Sequence, residues 1–132
     1  MADREETFEA GMKVRREMFG AAGADEQYAA APAFMKPLQD VVTSYCFGDG
    51  WNRPGLDRKI RSMLTLAILT AIGKPSQLRV HVRGAIANGV SVDEIREVLL
   101  HTMIYAGVPA GVEAHLNASE VLAEMGVLDQ AS

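Results

Sequence analysis

Apolar residues recur at spacings of three and four along most of this chain, and that period predicts helices. Residues 4–19 carry Phe8, Met12 and Met18 as apolar positions, with Gly20 as a stop. Residues 21–31 form an Ala/Gly-rich connector with little periodicity. Residues 32–47 read as a helix striped by Phe34, Leu38, Val41, Val42 and Tyr45, with Pro37 near its first turns. Asp57 caps a helix that ends at Gly73. Lys74-Pro75-Ser76 breaks the chain, and Ser76 is the expected N-cap of a helix reaching Asn88 and Gly89. Ser91 and Glu94 make a capping box, each satisfying the other's backbone donor, and open a helix to about Ala106. Gly107-Val108-Pro109 is a stop and then a start, with Pro109 in the first turn of a last helix ending near Gly126. Val, Ile and Thr fall at helical spacings and not in alternation, so no strand is predicted. The expected fold is all-α, with about six helices in a single domain over residues 1–132.

The helix from Asp57 is apolar on nearly every side after Arg61, through Met63, Leu64, Leu66, Ala67, Ile68, Leu69, Ala71 and Ile72. Such a helix must be covered all round. A domain this small has few interior places for one, so contacts between copies of the chain are expected to bury part of it.

With 132 residues the chain can bury a real core but is small for an enzyme acting alone. Its 17 acidic and 13 basic residues give net −4, which argues against general nucleic-acid binding. One cysteine, Cys46, excludes an internal disulfide framework and any CxxC site. Flanked by Tyr45 and Phe47, it is expected to pack as a small apolar group. Residues 2–17 are charged and hold no signal-peptide core, and the apolar run 63–72 is too short to span a bilayer. The expectation is a cytoplasmic protein without a membrane partner.

Candidate chemistry concentrates in residues 48–57, a turn-rich loop with the only Trp, an Arg and a Pro-Gly turn. Pro54 fixes one backbone angle and Gly55 accepts positive φ, so the loop can be tight. An indole at Trp51 and a guanidinium at Arg53 suit an acidic organic ligand, since Arg grips carboxylates bidentately. The alternative is that Trp51 plugs a core and Arg53 ends a helix. The following helix adds Arg58, Lys59 and Arg61.

On the helix to Asn88, Leu78, Val82, Ala85 and Ile86 form the core stripe, and His81 lies at its flank with Gln77, Ala85 and Asn88. Arg79 and Arg83 share another side. An imidazole at the edge of a core can be a proton donor in a partly desolvated pocket, or a hydrogen-bonded structural histidine. His101 shares a stripe with Glu97 and Tyr105, as a surface pairing or a carboxylate-oriented ring. No two histidines sit at i, i+3 or i+4, so no metal site is predicted. Phosphate-binding glycine motifs and a GxSxG elbow are absent.

Several stretches together carry a family resemblance. They are Gly11-Met12-Lys13-Val14-Arg15-Arg16; Gly48-Asp49 with Trp51-Asn52-Arg53-Pro54-Gly55-Leu56; Arg61-Ser62; and Leu78-Arg79-Val80-His81. Asn88-Gly89-Val90, Glu94-Ile95, Glu97-Val98-Leu99-Leu100-His101 and Tyr105-Ala106-Gly107-Val108-Pro109-Ala110 complete the set. Over residues 5–125 the chain resembles the carboxymuconolactone decarboxylase family of the alkylhydroperoxidase-like superfamily, in its γ-carboxymuconolactone decarboxylase branch.

The resemblance implies an all-helical protomer in a ring, a hexamer built as a trimer of dimers. It implies a cofactor-independent decarboxylation of an acidic lactone, γ-carboxymuconolactone, to 3-oxoadipate enol-lactone. His81 is the expected proton donor, and Trp51, Arg53, Arg61, Arg79 and His101 are the expected substrate-binding residues. The superfamily's redox members place a CxxC ahead of the equivalent histidine; those positions are Lys74 and Gln77 here, so peroxidase chemistry of that type is not expected. One departure stands out: the branch often has a His and then a Trp before Gly-Asp, where this chain has Tyr45-Cys46-Phe47-Gly48-Asp49. That favours, as an alternative, a paralogue acting on another small acidic lactone or keto acid; a non-catalytic oligomeric binding protein, in which His81 and Arg53 would be dispensable, is a further alternative.

Overall fold

The side chain of Asp3 accepts a 2.8 Å hydrogen bond from the Glu6 N–H and so opens helix α1, Arg4–Phe19. The computed structural model describes residues 3–128. These divide at Asp57 and Arg58 into two compact units. Every regular element among the described residues is helical.

The first unit holds α1, α2 (Asp25–Ala30), α3 (Lys36–Val41) and a π-helical segment, Val42–Gly50. Two expectations are corrected here. The connector 21–31 contains α2, a turn and a half too short to show a period. The helix expected over 32–47 begins later, with Pro37 in its first turn, and continues past Phe47 to Gly50 by widening into π geometry. Glycines set the packing of α1 on that segment. A Cβ on Gly11 would sit 1.7 Å from the Thr43 carbonyl oxygen, and one on Gly48 would sit 2.2 Å from that of Thr7. Below this contact Val14, Met18 and Phe47 form a small core, with Phe19, Val42 and Trp51 against it.

Arg15 was missed by the sequence reading. It is only 3% exposed, on the stripe of Met12 and Met18. Its guanidinium donates to Gln27 Oε1 at 2.6 Å, Thr43 Oγ1 at 2.8 Å, Gln39 Oε1 at 2.9 Å and the Gly23 carbonyl at 3.0 Å. Burial lowers its pKa, with nearby Asp25 opposing the shift. One buried cation thus ties α1 to the turn at Gly23, to α2, to α3 and to the π-helical segment.

The second unit packs α4 (Arg58–Ala71), α5 (Pro75–Ala87), α6 (Val92–Ala106) and α7 (Val108–Glu124). Its core includes Leu66, Leu78, Val82, Ile95, Leu99 and Val121. The expected α5 stripe is borne out, with Leu78, Val82 and Ala85 buried and Ile86 packed against them. The Ser91–Glu94 capping box forms with both bonds at 3.0 Å. Ser76 is not the cap of α5: Lys74 holds that position, because Pro75 lacks an N–H and pre-sets φ for the first helical residue.

Helix α4 presents its apolar bulk outward. Ser62, Leu66 and Thr70 are buried, whereas Ile60, Leu64, Ile68 and Ile72 form an exposed line at intervals of four. The buried hydroxyls are satisfied: Thr70 donates to the Leu66 carbonyl, and Ser62 accepts from Asn88. No helix of the described residues is long and apolar enough to cross a membrane.

Candidate functional site

Helix α5 positions His81 one residue from buried Val82, so its ring lies at the edge of the second unit's core. The residue is half-buried and its Nδ1 is buried. Burial disfavours the imidazolium and holds the pKa down at about 4. The ring is therefore neutral at pH 7, one proton in roughly a thousand molecules. This is the partly desolvated imidazole expected from the sequence.

Asn88 shares the His81 face and donates from Nδ2 to Ser62 Oγ at 3.0 Å. That bond fixes the end of α5 against the first turns of α4, which carry three of the second unit's basic residues. Arg58, Lys59 and Arg61 all lie in the first turn of α4, with no acidic residue among them. Cations at a helix N-terminus oppose the macrodipole, and both together favour a bound anion. Lys59 is balanced by Glu94 at 2.9 Å, and Arg61 is half-buried.

Arg79 is two residues from His81, about 200° around the helix. Its guanidinium meets Glu120 at 2.7 Å and Glu124 at 3.2 Å, with Asn117 Oδ1 at 3.3 Å, and Arg83 adds a 2.8 Å pair to Glu124. The protein itself supplies carboxylates to Arg79, and the network clamps α5 to α7. His101 is exposed on α6, its ring tilted against Tyr105 at 5.4 Å between centroids. Glu97 makes no hydrogen bond or ion pair to it.

In the first unit Trp51 follows the π-helical segment and stacks on buried Phe47, the rings 18° apart in plane with centroids at 6.0 Å. Phe19 meets Phe47 edge-on at 5.8 Å. The indole is therefore anchored by an aromatic cluster and is itself only partly accessible. Asn52 donates to the Gly48 carbonyl at 3.1 Å and ends the π segment. Arg53 is exposed on the following loop. Cys46 is exposed, not packed, because the π geometry turns it outward with Tyr45, while Phe47 takes the interior position.

No group of three or more His, Cys, Asp and Glu among the described residues could hold a metal ion. His115 lies apart on α7, with Nδ1 2.6 Å from the Gly111 carbonyl.

The sequence model of the Carboxymuconolactone decarboxylase family matches residues 36–120. The chain is 36% identical over 123 residues to a 4-carboxymuconolactone decarboxylase of Acinetobacter baylyi, covering 93% of this chain and 92% of the relative. It is 39% identical over 118 residues to the nitrosuccinic acid decarboxylase npaB of Metarhizium robertsii, covering 89% and 82%. The chain belongs to the carboxymuconolactone decarboxylase family. Both relatives are named decarboxylases, and the class they support for this chain is a carboxy-lyase.

Proposed function

We propose that the chain is a cofactor-independent decarboxylase of a small dianionic acid in the cytoplasm. Its first proposed substrate is γ-carboxymuconolactone, converted to 3-oxoadipate enol-lactone in protocatechuate degradation. The observation that carries the reading is His81, a core-edge imidazole held neutral by burial in the middle of α5, whose C-terminal end is tied through Asn88 to the helix with the basic first turn.

The chemistry needs little from the protein. When the ring carboxylate leaves as CO₂, its bonding pair passes through the alkene to the lactone carbonyl oxygen and forms a dienolate. One proton must then reach the carbon beside that carbonyl. The substrate supplies the electron sink, and the protein supplies charge and a proton.

A resting His81 is deprotonated, but a dianion nearby raises an imidazole pKa. Substrate binding thus charges the group that later donates. A positioned acid contributes about 10²–10⁴-fold. Arg53 and Arg61 are assigned to carboxylates and Trp51 to the flat face of the lactone. The firmer grip belongs on the acetate arm, because clamping the departing carboxylate would stabilise the ground state. Arg79 is held by Glu120 and Glu124, so a substrate carboxylate would have to compete with theirs for it.

A homo-oligomer, a hexamer in the expected ring, is part of the proposal. The exposed line Ile60, Leu64 and Ile68 on α4, continued by Ile72 in the turn after it, supports it, as do Ile104, Tyr105 and Val108 near His101. The part of His101 in binding is assigned to that assembly.

A second reading rests on Tyr45, 70% exposed where the branch often has histidine, and on the Metarhizium relative. Nitrosuccinic acid also carries two carboxylates, with a nitro group as sink. A different sink with the same charge pattern would use the same residues. Assay of purified protein with both acids, following CO₂ release, tests the choice. Turnover of neither by folded protein would sink the decarboxylase reading for these substrates.

A further inference from the structure

A cavity of about 320 Å³ lies between α6 and α7 of the second unit, and no residue assigned above to substrate lines it. Its origin is in the helix register. The two helices form a hairpin at Gly107 and touch closely near that turn, where a Cβ on Gly111 would sit 2.5 Å from Met103. Continuing this antiparallel register sets Leu99 across from His115, Arg96 across from Ser119, and Val92 across from Leu122. Helix α6 therefore brings Val92, Arg96 and Leu99 to this space, one polar residue between two apolar ones, and α7 brings the polar His115 and Ser119 with the apolar Leu122. Ala118 beside them is too small to fill it.

The floor, Ile95, Leu99, Ala118 and Leu122, is buried and apolar. At the mouth Arg96 and Ser119 are exposed and His115 half-buried, beside the exposed Leu116. Each polar group keeps a specific capacity. Asp93 engages Arg96 at Nη1, at 3.1 Å, out of five N–H donors in the guanidinium. The short Nδ1 contact of His115 with the Gly111 carbonyl puts the proton on Nδ1, so the neutral ring offers Nε2 as an acceptor. A volume of this size is at the lower end of small-molecule sites, about 300–1,000 Å³, and the pattern of apolar walls with a few converging polar groups is theirs.

We propose that this cavity is a second ligand site, for a small aromatic or alicyclic monocarboxylate. The ring lies on Ile95, Leu99 and Leu122, the carboxylate accepts from Arg96 and Ser119, and a ring hydroxyl, where present, donates to His115 Nε2. The site is independent of the decarboxylase reading, since His81 is on another helix.

Titration of the full chain with 4-fluorobenzoate, followed by fluorine NMR line broadening, tests it. Saturable binding is expected. Arg96→Gln should weaken it by about tenfold, the worth of one charge-assisted hydrogen bond. Ser119→Phe, at an exposed rim position, should abolish it, while His81→Ala should leave it intact. The neutral 4-fluorobenzyl alcohol should bind more weakly and ignore Arg96→Gln. Absence of saturable binding in the millimolar range would overturn the proposal. So would binding that survives both Arg96→Gln and Ser119→Phe in folded proteins.

Discussion

Asn88 at the end of α5 and buried Ser62 in the first turns of α4 share a 3.0 Å hydrogen bond. The histidine-bearing helix is pinned by it to the helix that carries Arg61. His81 lies seven residues before Asn88, about 10 Å along the axis at about 1.5 Å per residue. Asn88→Ala removes the partner of a hydroxyl that is fully buried. The expected loss is about 1–3 kcal/mol, read from urea midpoints. Adding Ser62→Ala should return part of it, because the hydroxyl left without its donor is then gone; equal losses in the single and double variants would show the bond to be idle.

Gly11 admits no side chain. Its α-carbon faces the Thr43 carbonyl, and an added methyl would have to displace either α1 or the π-helical segment. Gly11→Ala should cost about 3 kcal/mol or more, at the upper end of overpacking penalties. Thermal melting at the wild-type temperature would refute this packing of the first unit.

Arg15 has only neutral hydrogen-bond acceptors, in four places along the chain. Arg15→Met strands several of them, each costing about 1–3 kcal/mol when buried. Arg15→Lys should rescue little, since an ammonium cannot span the same fork. A lysine variant as stable as wild type would show that charge alone is required.

Much of this architecture was legible because it obeys simple periods and caps. The α5 stripe, the Ser91 capping box and the over-apolar α4 all read directly from spacing. The π-helical segment did not, since its apolar residues keep the three-and-four spacing of an α-helix while its backbone widens. That widening moved Cys46 and Tyr45 outward, which no local pattern announces. Ser76 misled because a good cap residue stood beside a proline that starts the helix without one. Arg15 occupied a core position in plain view, but an arginine on an apolar stripe reads first as an exposed residue. Of the site, the flank position of His81 was visible; the carboxylates that occupy Arg79 were not, because Glu120 and Glu124 lie some forty residues away on α7.

Arg79 and the other assigned arginines should separate kinetically. Arg79→Ala breaks a partly exposed network and should cost about 0.5–2 kcal/mol of stability, with kcat/KM changed only a few-fold. Arg53→Ala or Arg61→Ala should lower kcat/KM by about 100-fold or more, the cost of a lost charge-assisted contact. The reverse order would reassign the carboxylate grip to α5.

The burial of His81 gives stability a pH signature. Its pKa is about 4 when folded and near 6.5 when unfolded, so the unfolded chain binds the extra proton first. The stability this group contributes is present above pH 6.5 and is lost as pH falls toward 4. His81→Asn should flatten that segment of a stability-against-pH curve. An unchanged slope in the variant would mean that His81 titrates normally.

The central claim is that His81 delivers the proton after CO₂ leaves. Turnover of γ-carboxymuconolactone in D₂O, with product read by proton NMR, tests it most directly. Wild type should place one deuterium on a single face of the carbon beside the lactone carbonyl, and His81→Ala should slow turnover by about 10²–10⁴-fold while still assembling. Unchanged rate and stereochemistry in a folded His81→Ala protein would contradict it.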